Sequence, residues 1–244
     1  MSGGVGRTCI DEIQHPKEEE EPEIQLNSSL PTQIPKTHRG LLSFRQLNAL
    51  AVIIVLSASG MVSLQDFSFV ILSVFYIFFL SKVSFPPQNP SIENPPIFGE
   101  KNRILGIYVS IGALIGLLLP IAYIFHGIIE GDKEGIKAAA PHVFLLSSQV
   151  FMEGLTFSNR FSLPIRVFVP VCYNAMRVLT IMDWLKAEIG KADEVFSGSE
   201  RRLYVGRALA LANMVFWCFN LFGFLLPVYL PRAFKRYYGY KVKD

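Results

Sequence analysis

The chain has 244 residues and a formal net charge of +3, with 51% apolar side chains and a mean hydropathy of +0.36. Soluble domains of ordinary composition are more polar than this. The three cysteines, Cys9, Cys172 and Cys218, are odd in number, far apart and in no CxxC pair, which argues against a disulfide framework or a zinc site. No basic stripe carries interleaved stacking aromatics, so no nucleic-acid partner is expected.

Residues 1–40 carry seven acidic and four basic side chains, include the run KEEEEPE and have no apolar core. That pattern fits neither a signal peptide nor an Arg-rich transit peptide. It predicts a disordered, solvated acidic arm. Insertion into a membrane then falls to the first apolar segment.

A bilayer core needs about 20 apolar residues per helix. The interval 46–65 is uncharged and meets that length. The interval 67–85 follows after a turn expected at Gln65 and Asp66, and its only charge is Lys82, near enough to the end to snorkel. The next stretch, FPPQNPSIENPPIFGEKNR, holds five prolines and predicts an extended loop. Two more uncharged intervals, 104–129 and 208–231, are strong spans. Between them, 138–157 contains Glu153, and 164–185 contains Arg166, Arg177 and Asp183. Counting both as spans gives six transmembrane helices, with four or five if one lies in the interface or re-enters. Residues 232–244 then form a basic, aromatic tail with five basic side chains and one acidic. Such a tail suits the headgroup layer of an anionic leaflet. The balance of Lys and Arg between the two sets of loops places both termini in the cytosol.

Three helical stripes carry polar groups. In the fourth segment His142, Gln149, Glu153, Thr156 and Arg160 share a face, and in the fifth Arg166, Tyr173, Arg177 and Trp184 do. A central charge facing lipid costs roughly 2.5–3.5 kcal/mol on insertion scales, so the two stripes are expected to meet. At about 1.5 Å per residue, Glu153 and Arg166 differ in depth by about 5 Å, whereas Arg177 lies about 12 Å from Glu153. The expected buried cluster therefore pairs Glu153 with Arg166 or Tyr173. Arg177 is expected on Gln149, His142 or a group from another segment, and Asn174 within reach. The cluster is the candidate binding site: His142, Gln149, Glu153, Arg166, Tyr173, Asn174 and Arg177. The sixth segment presents a heptad-like seam through Gly206, Ala210, Asn213, Trp217, Asn220 and Phe224, and the third carries the pair Gly112 and Gly116. Gly112, Gly116, Asn213, Trp217 and Asn220 form the expected packing seam, inside the bundle or against a partner helix or second copy.

Catalytic signatures are absent. Four histidines without a box pattern argue against a metal centre, and no Gly-rich phosphate loop or paired aspartates occur. No catalytic residue, metal or cofactor is assigned.

LSFRQLNALAVIIVLSASGMVS, the proline-rich loop and SLPIRVFVPVCYNAMRVLTIMDWL together resemble a family of uncharacterised plant multi-pass membrane proteins with a domain of unknown function. The resemblance runs from about Leu41 onward and implies a lineage, with no activity or site to carry over. The sequence thus predicts an all-α, polytopic membrane bundle of about six helices over 41–231, behind the arm 1–40 and before the tail 232–244. It favours a non-enzymatic scaffold, adaptor or accessory subunit in the endoplasmic reticulum or another endomembrane, with the plasma membrane as an alternative. A small transporter or channel with its site around Glu153, Arg166 and Arg177 is the first alternative. A lipid-modifying enzyme using Glu153 or His142 as base is the second.

Overall fold

Gly60 and Ser63 divide the first long apolar stretch in two. In the computed structural model, which describes residues 44–58, 60–87, 103–157, 161–191 and 200–241, helix α1 (Phe44–Ala58) stops before Gly60, whose φ is +68°. A left-handed backbone there suits glycine and ends the helix. Ser63 then caps α2 (Leu64–Val83): its hydroxyl accepts the Asp66 amide N–H at 3.1 Å and donates to the Asp66 carboxylate at 2.6 Å. The turn expected at Gln65 and Asp66 thus lies a few residues earlier. Asp66 is a buried first-turn residue of α2, not a loop charge.

Four further helices follow: α3 (Arg103–Glu130), α4 (Lys133–Thr156), α5 (Leu163–Gly190) and α6 (Glu200–Gly239). No strand occurs among the described residues. The acidic arm, most of the proline loop and Arg160 lie outside the described residues. Everything described belongs to one unit, residues 40–244. Consecutive helices run antiparallel. Ser73 meets Tyr173 and Phe85 meets Ser162 between α2 and α5, while Asn174 meets Trp217 and Glu188 meets Arg207 between α5 and α6.

Four helices, α2, α3, α5 and α6, are long and apolar enough to cross a membrane. Their outward faces carry rows of exposed large apolar side chains: Leu72, Phe75 and Phe79 on α2, Ile104 and Ile107 on α3, Val215, Phe219 and Phe222 on α6. Apolar surface on that scale is foreign to a water-facing monomer and suits lipid. Helix α4 falls outside this set for a physical reason: residues 142–149 are buried without a break. Its neighbours are protein rather than lipid, so it can carry His142, Ser147, Ser148 and Gln149 in its middle. Helix α1 has 15 described residues, about 22 Å of rise, and packs along α4.

Helix α6 does not stop at Pro231. A π-helical segment, Phe219–Tyr229, contains Pro227, and the helix continues beyond it. Ala233 and Tyr237 are buried, Ala233 against Leu163 and Val167. Tyr237 donates to the Pro86 carbonyl at 3.2 Å and packs with Phe234 on the Phe85 ring. The basic tail is therefore, through residue 239, a helical extension docked on the ends of α2 and α5. Its apolar side supplies the contact.

Candidate functional site

Proline sets the polar geometry of α3. Pro120 has no N–H to give the Gly116 carbonyl four residues back. The preceding turn, Leu114–Leu118, is π-helical, and the Leu119 N–H bonds Leu114, leaving the Ile115 carbonyl without its usual donor. Two side chains from other helices take these places. His142 Nε2 donates to the Gly116 carbonyl at 2.8 Å, and Asn213 Nδ2 donates to the Ile115 carbonyl at 3.0 Å. Because a carbonyl only accepts, His142 carries its proton on Nε2. Contrary to one expected pairing, His142 does not join Arg177 by a hydrogen bond; it repairs the break that Pro120 makes.

The π segment of α6 is fastened in the same way. Asn174 Nδ2 donates to the Trp217 carbonyl at 3.0 Å, and the Tyr108 hydroxyl donates to Asn220 Oδ1 at 2.6 Å. Trp217 Nε1 donates to Asn213 Oδ1 at 3.1 Å. The Trp217 ring lies over Gly116, where a Cβ would meet its Cζ2 atom at 2.5 Å, and near Gly112. The small-residue pair on α3 faces this tryptophan within the chain, and the backbone of α3 approaches α6 there.

Arg177 is wholly buried between α4 and α6. Its Nη2 donates to Gln149 Oε1, and its guanidinium lies 3.9 Å from the Trp217 ring centroid. Gln149 Nε2 in turn donates to Glu153 Oε1 at 2.6 Å. The cation and the carboxylate are thus joined through an amide rather than in direct contact. Glu153 makes neither of the two contacts expected of it. Tyr173 turns to Ser73 on α2, hydroxyl to hydroxyl at 2.7 Å. Arg166 sits in the first turn of α5, with its guanidinium 5.8 Å from the Phe157 ring. No ion pair joins it to Glu153, although both line the same cavity.

What brings Glu153, Gln149 and Arg166 together is a cavity of about 830 Å³. Arg45, Glu153, Arg166 and Tyr229 line one end of it, and Leu117, Leu146 and Trp217 line the other. Arg45, Glu153 and Arg166 lie at helix ends on the side of the bundle where α1, α3 and α5 begin, and Tyr229 is the last residue of the π-helical segment of α6. Glu153 and Leu146 are seven residues apart, which places the apolar end about 10 Å further in. Arg177 does not line the space; it stands behind Gln149 and Trp217. The cavity has the size of pockets that hold drug-sized ligands, about 300–1,000 Å³, and their composition, an apolar body with few polar groups.

A second polar centre, at the opposite end of the bundle, is absent from the sequence-based expectations. Glu188 is wholly buried and accepts from the Tyr123 hydroxyl at 2.7 Å, Lys191 Nζ at 3.1 Å and Trp184 Nε1 at 3.3 Å. Asp132 caps α4 through the Gly135 amide at 2.9 Å and accepts from Arg202 Nε at 2.7 Å and Lys191 Nζ at 3.4 Å. Burial pushes the Asp132 carboxyl up, but the Gly135 amide, Arg202 and Lys191 outweigh it and hold the group below its ordinary value. Arg202 also donates to the Tyr123 carbonyl and lies 4.2 Å from the Tyr123 ring centroid. Lys191 and Arg202, expected as loop charges, are interior. Two cations, Lys191 and Arg202, meet Asp132 and Glu188 in one network held by four helices, and Glu130 adds a third carboxylate 3.7 Å from Arg202 Nε. The signal in the sequence is slight: Gly131-Asp132 as a stop-and-cap pair, and Glu188 three residues before Lys191. Among the described residues no group of His, Cys, Asp and Glu has the arrangement of a metal site.

The described residues form an all-helical unit with four helices long and apolar enough to cross a membrane, and a space with charged groups at one end. No curated protein and no solved structure matches the chain. A family model does, over residues 42–238: the chain belongs to the family with the domain of unknown function DUF7733.

Proposed function

We propose that this chain is a six-span integral membrane protein of the plant multi-pass kind, and that its bundle binds a small molecule without transforming it. One observation carries the binding reading: the cavity of about 830 Å³ with Arg45, Glu153 and Arg166 at one end and apolar walls beyond. A scaffold needs no such space, and the seam residues that a scaffold would offer to partners are largely engaged inside the bundle. Asn213 and Trp217 bond each other, and Asn220 takes the Tyr108 hydroxyl. The six-span count adds α1 and α4 to the four long apolar helices, because α4 is enclosed by the others and α1 packs along it.

Both termini belong in the cytosol on this reading. Lys191 and Arg202 are balanced inside the ion-pair network, which removes two cations from the loops of the far side. The endoplasmic reticulum or another endomembrane is the compartment, with the plasma membrane as the alternative.

A transporter is the second reading. A space of about 660 Å³ lies toward the opposite end, bordered by Asp66, Pro141, Thr180 and Trp184. Arg177, Ile181 and Phe144 are wholly buried and line neither space. Native mass spectrometry of the full chain released from mild detergent tests the binding reading. A non-covalent adduct of one small molecule per chain is expected, and its loss is expected in Ala113→Trp, which fills the cavity from α3. Equal adducts in both proteins, or none in either, would remove the reading.

A further inference from the structure

We infer that the cavity takes an amphiphile with an anionic head, a carboxylate or a phosphate, whose apolar chain runs inward toward Trp217; the inference rests on the binding reading above. Consider the charges first. Of the described lining residues, Arg45, Arg166 and Glu153 are the charged ones, and all three stand at the same end. The Glu153 carboxylate is held by Gln149, whose own amide oxygen is held by Arg177. The one negative group therefore has a cation behind it through the bundle, Arg177, and another at the mouth, Arg45, which also acts on it. Arg45 and Arg166 add two positive charges beside it.

Backbone dipoles act in the same direction. Helices α1, α3 and α5 all begin at this end, with Arg45 and Arg166 in the first turns of α1 and α5 and Leu105 in the first turn of α3. Helix N-termini carry partial positive charge and favour anions. In a low-dielectric surrounding both terms count for more than in water. A guanidinium fork matches carboxylate and phosphate oxygens equally well, so the head is defined by its charge and not by its central atom.

The tail follows from the depth profile. Beyond Glu153 the walls are mainly apolar, with Val52, Ala113, Leu117, Leu146 and the Trp217 ring, and Ser147 and Asn220 as polar members. Such a surface rewards an alkyl chain at about 25 cal/mol per Å² and offers a second polar group few partners. Helices α1 and α3 both line the space without packing along one another. A molecule already dissolved in the leaflet next to the mouth has its head at the depth of the two arginines and its chain at the depth of the walls.

The test uses the full chain in nanodiscs of zwitterionic lipid and three probes. Each has the same 11-carbon chain with a fluorophore at its far end, and the head is a carboxylate, a phosphate or an uncharged alcohol. Saturable binding of the two anionic probes, at least tenfold tighter than the alcohol, is expected. Arg45→Gln and Arg166→Gln should each weaken the anions by about tenfold and leave the alcohol unchanged, while Ala113→Trp abolishes all saturable binding. The ratio of carboxylate to phosphate affinity then separates a fatty-acid source from a phospholipid one. If the alcohol binds as tightly as the anions and the arginine variants change nothing, the anionic class is wrong and the cavity reading survives. If no probe binds saturably, or Ala113→Trp has no effect, the binding reading itself fails. Arg45 is exposed, so its variant keeps the test decisive should Arg166→Gln fold poorly.

Discussion

Gly206 lies against the buried carboxylate of Glu188, and a Cβ at that position would sit 2.5 Å from Glu188 Oε2 and 2.8 Å from the Tyr123 hydroxyl. Neither neighbour is a loose end, because Tyr123 and Glu188 hold each other at 2.7 Å. Gly127 against Arg202 and Gly135 against Asp132 repeat the relationship. The interior ions fit because three helices each give up a side chain where the network passes. Gly206→Ala is therefore expected to destabilise the protein by about 1–3 kcal/mol through overpacking. Gly106→Ala, with nothing within 4 Å, is expected to be neutral or stabilising by up to about 1 kcal/mol. Thermal unfolding in detergent, at about 2–4 °C per kcal/mol for a chain of this size, separates the two. Equal midpoints for both variants would refute the close-packing account.

Removing one member of that network should cost more than removing two. Glu188→Gln leaves the buried Lys191 ammonium without the carboxylate at 3.1 Å, and Asp132 stands further off at 3.4 Å. Breaking a buried pair from one side costs about 3–5 kcal/mol, most of it the stranded charge. Glu188→Gln combined with Lys191→Met restores charge balance, and its stability should lie closer to the parent than that of the single variant. The comparison is read by size-exclusion profile after heating. Additive losses in the double variant would show that the two residues are not coupled.

Much of the bundle is written in one-dimensional signals. The limits of α3 fall within a residue of the uncharged interval 104–129, because charge at both ends and lipid along the sides leave few alternatives. The bond from Arg177 to Gln149 follows from two polar stripes on neighbouring antiparallel helices. The start of α2 is less legible: the choice between Ser63 and Asp66 as the turning point depends on a cap, not on hydropathy. The roles of His142 and Asn213 are hidden for another reason. His142 answers the carbonyl that Pro120 leaves without a donor and Asn213 the one freed by the π-helical turn before it, and nothing near His142 or Asn213 in the chain announces a break 22 or more residues away. The Asp132–Arg202 pair spans 70 residues, and its charges read as loop charges until α3, α4, α5 and α6 are seen to converge.

Arg177 is expected to resist even a conservative change. Its fork holds Gln149 while its flat face lies on Trp217, two contacts that an ammonium does not make together. Arg177→Lys should lower stability by about 1–2 kcal/mol, the scale of a desolvated cation–π contact with part of a charge-assisted bond. Trp217 is one of only two tryptophans, so intrinsic fluorescence reports directly on its surroundings. An emission shift in Arg177→Lys is expected, and it should vanish when Trp217→Phe is added. A shift that persists would have to come from Trp184, which would contradict the local account.

Acid should remove the stabilisation that Asp132 supplies. Its side chain is 8% exposed, and the Gly135 amide, Arg202 and Lys191 hold its folded pKa below the ordinary 3.8. A group with a depressed folded pKa binds protons more readily when unfolded, so its stabilising contribution is complete above the unfolded value and drains away as pH falls through the folded one. The midpoint of Asp132→Asn should thus lie below that of the parent by a constant margin from pH 7 down to about pH 5. Below about pH 4 the margin should shrink, because the parent protonates the carboxyl that the variant lacks. Denaturant midpoints at four pH values in an acid-tolerant detergent measure it. A margin that stays constant to pH 3, or grows with acid, would mean that Asp132 is not held ionised by the partners named, and that α4 is fastened to α6 by something other than this pair.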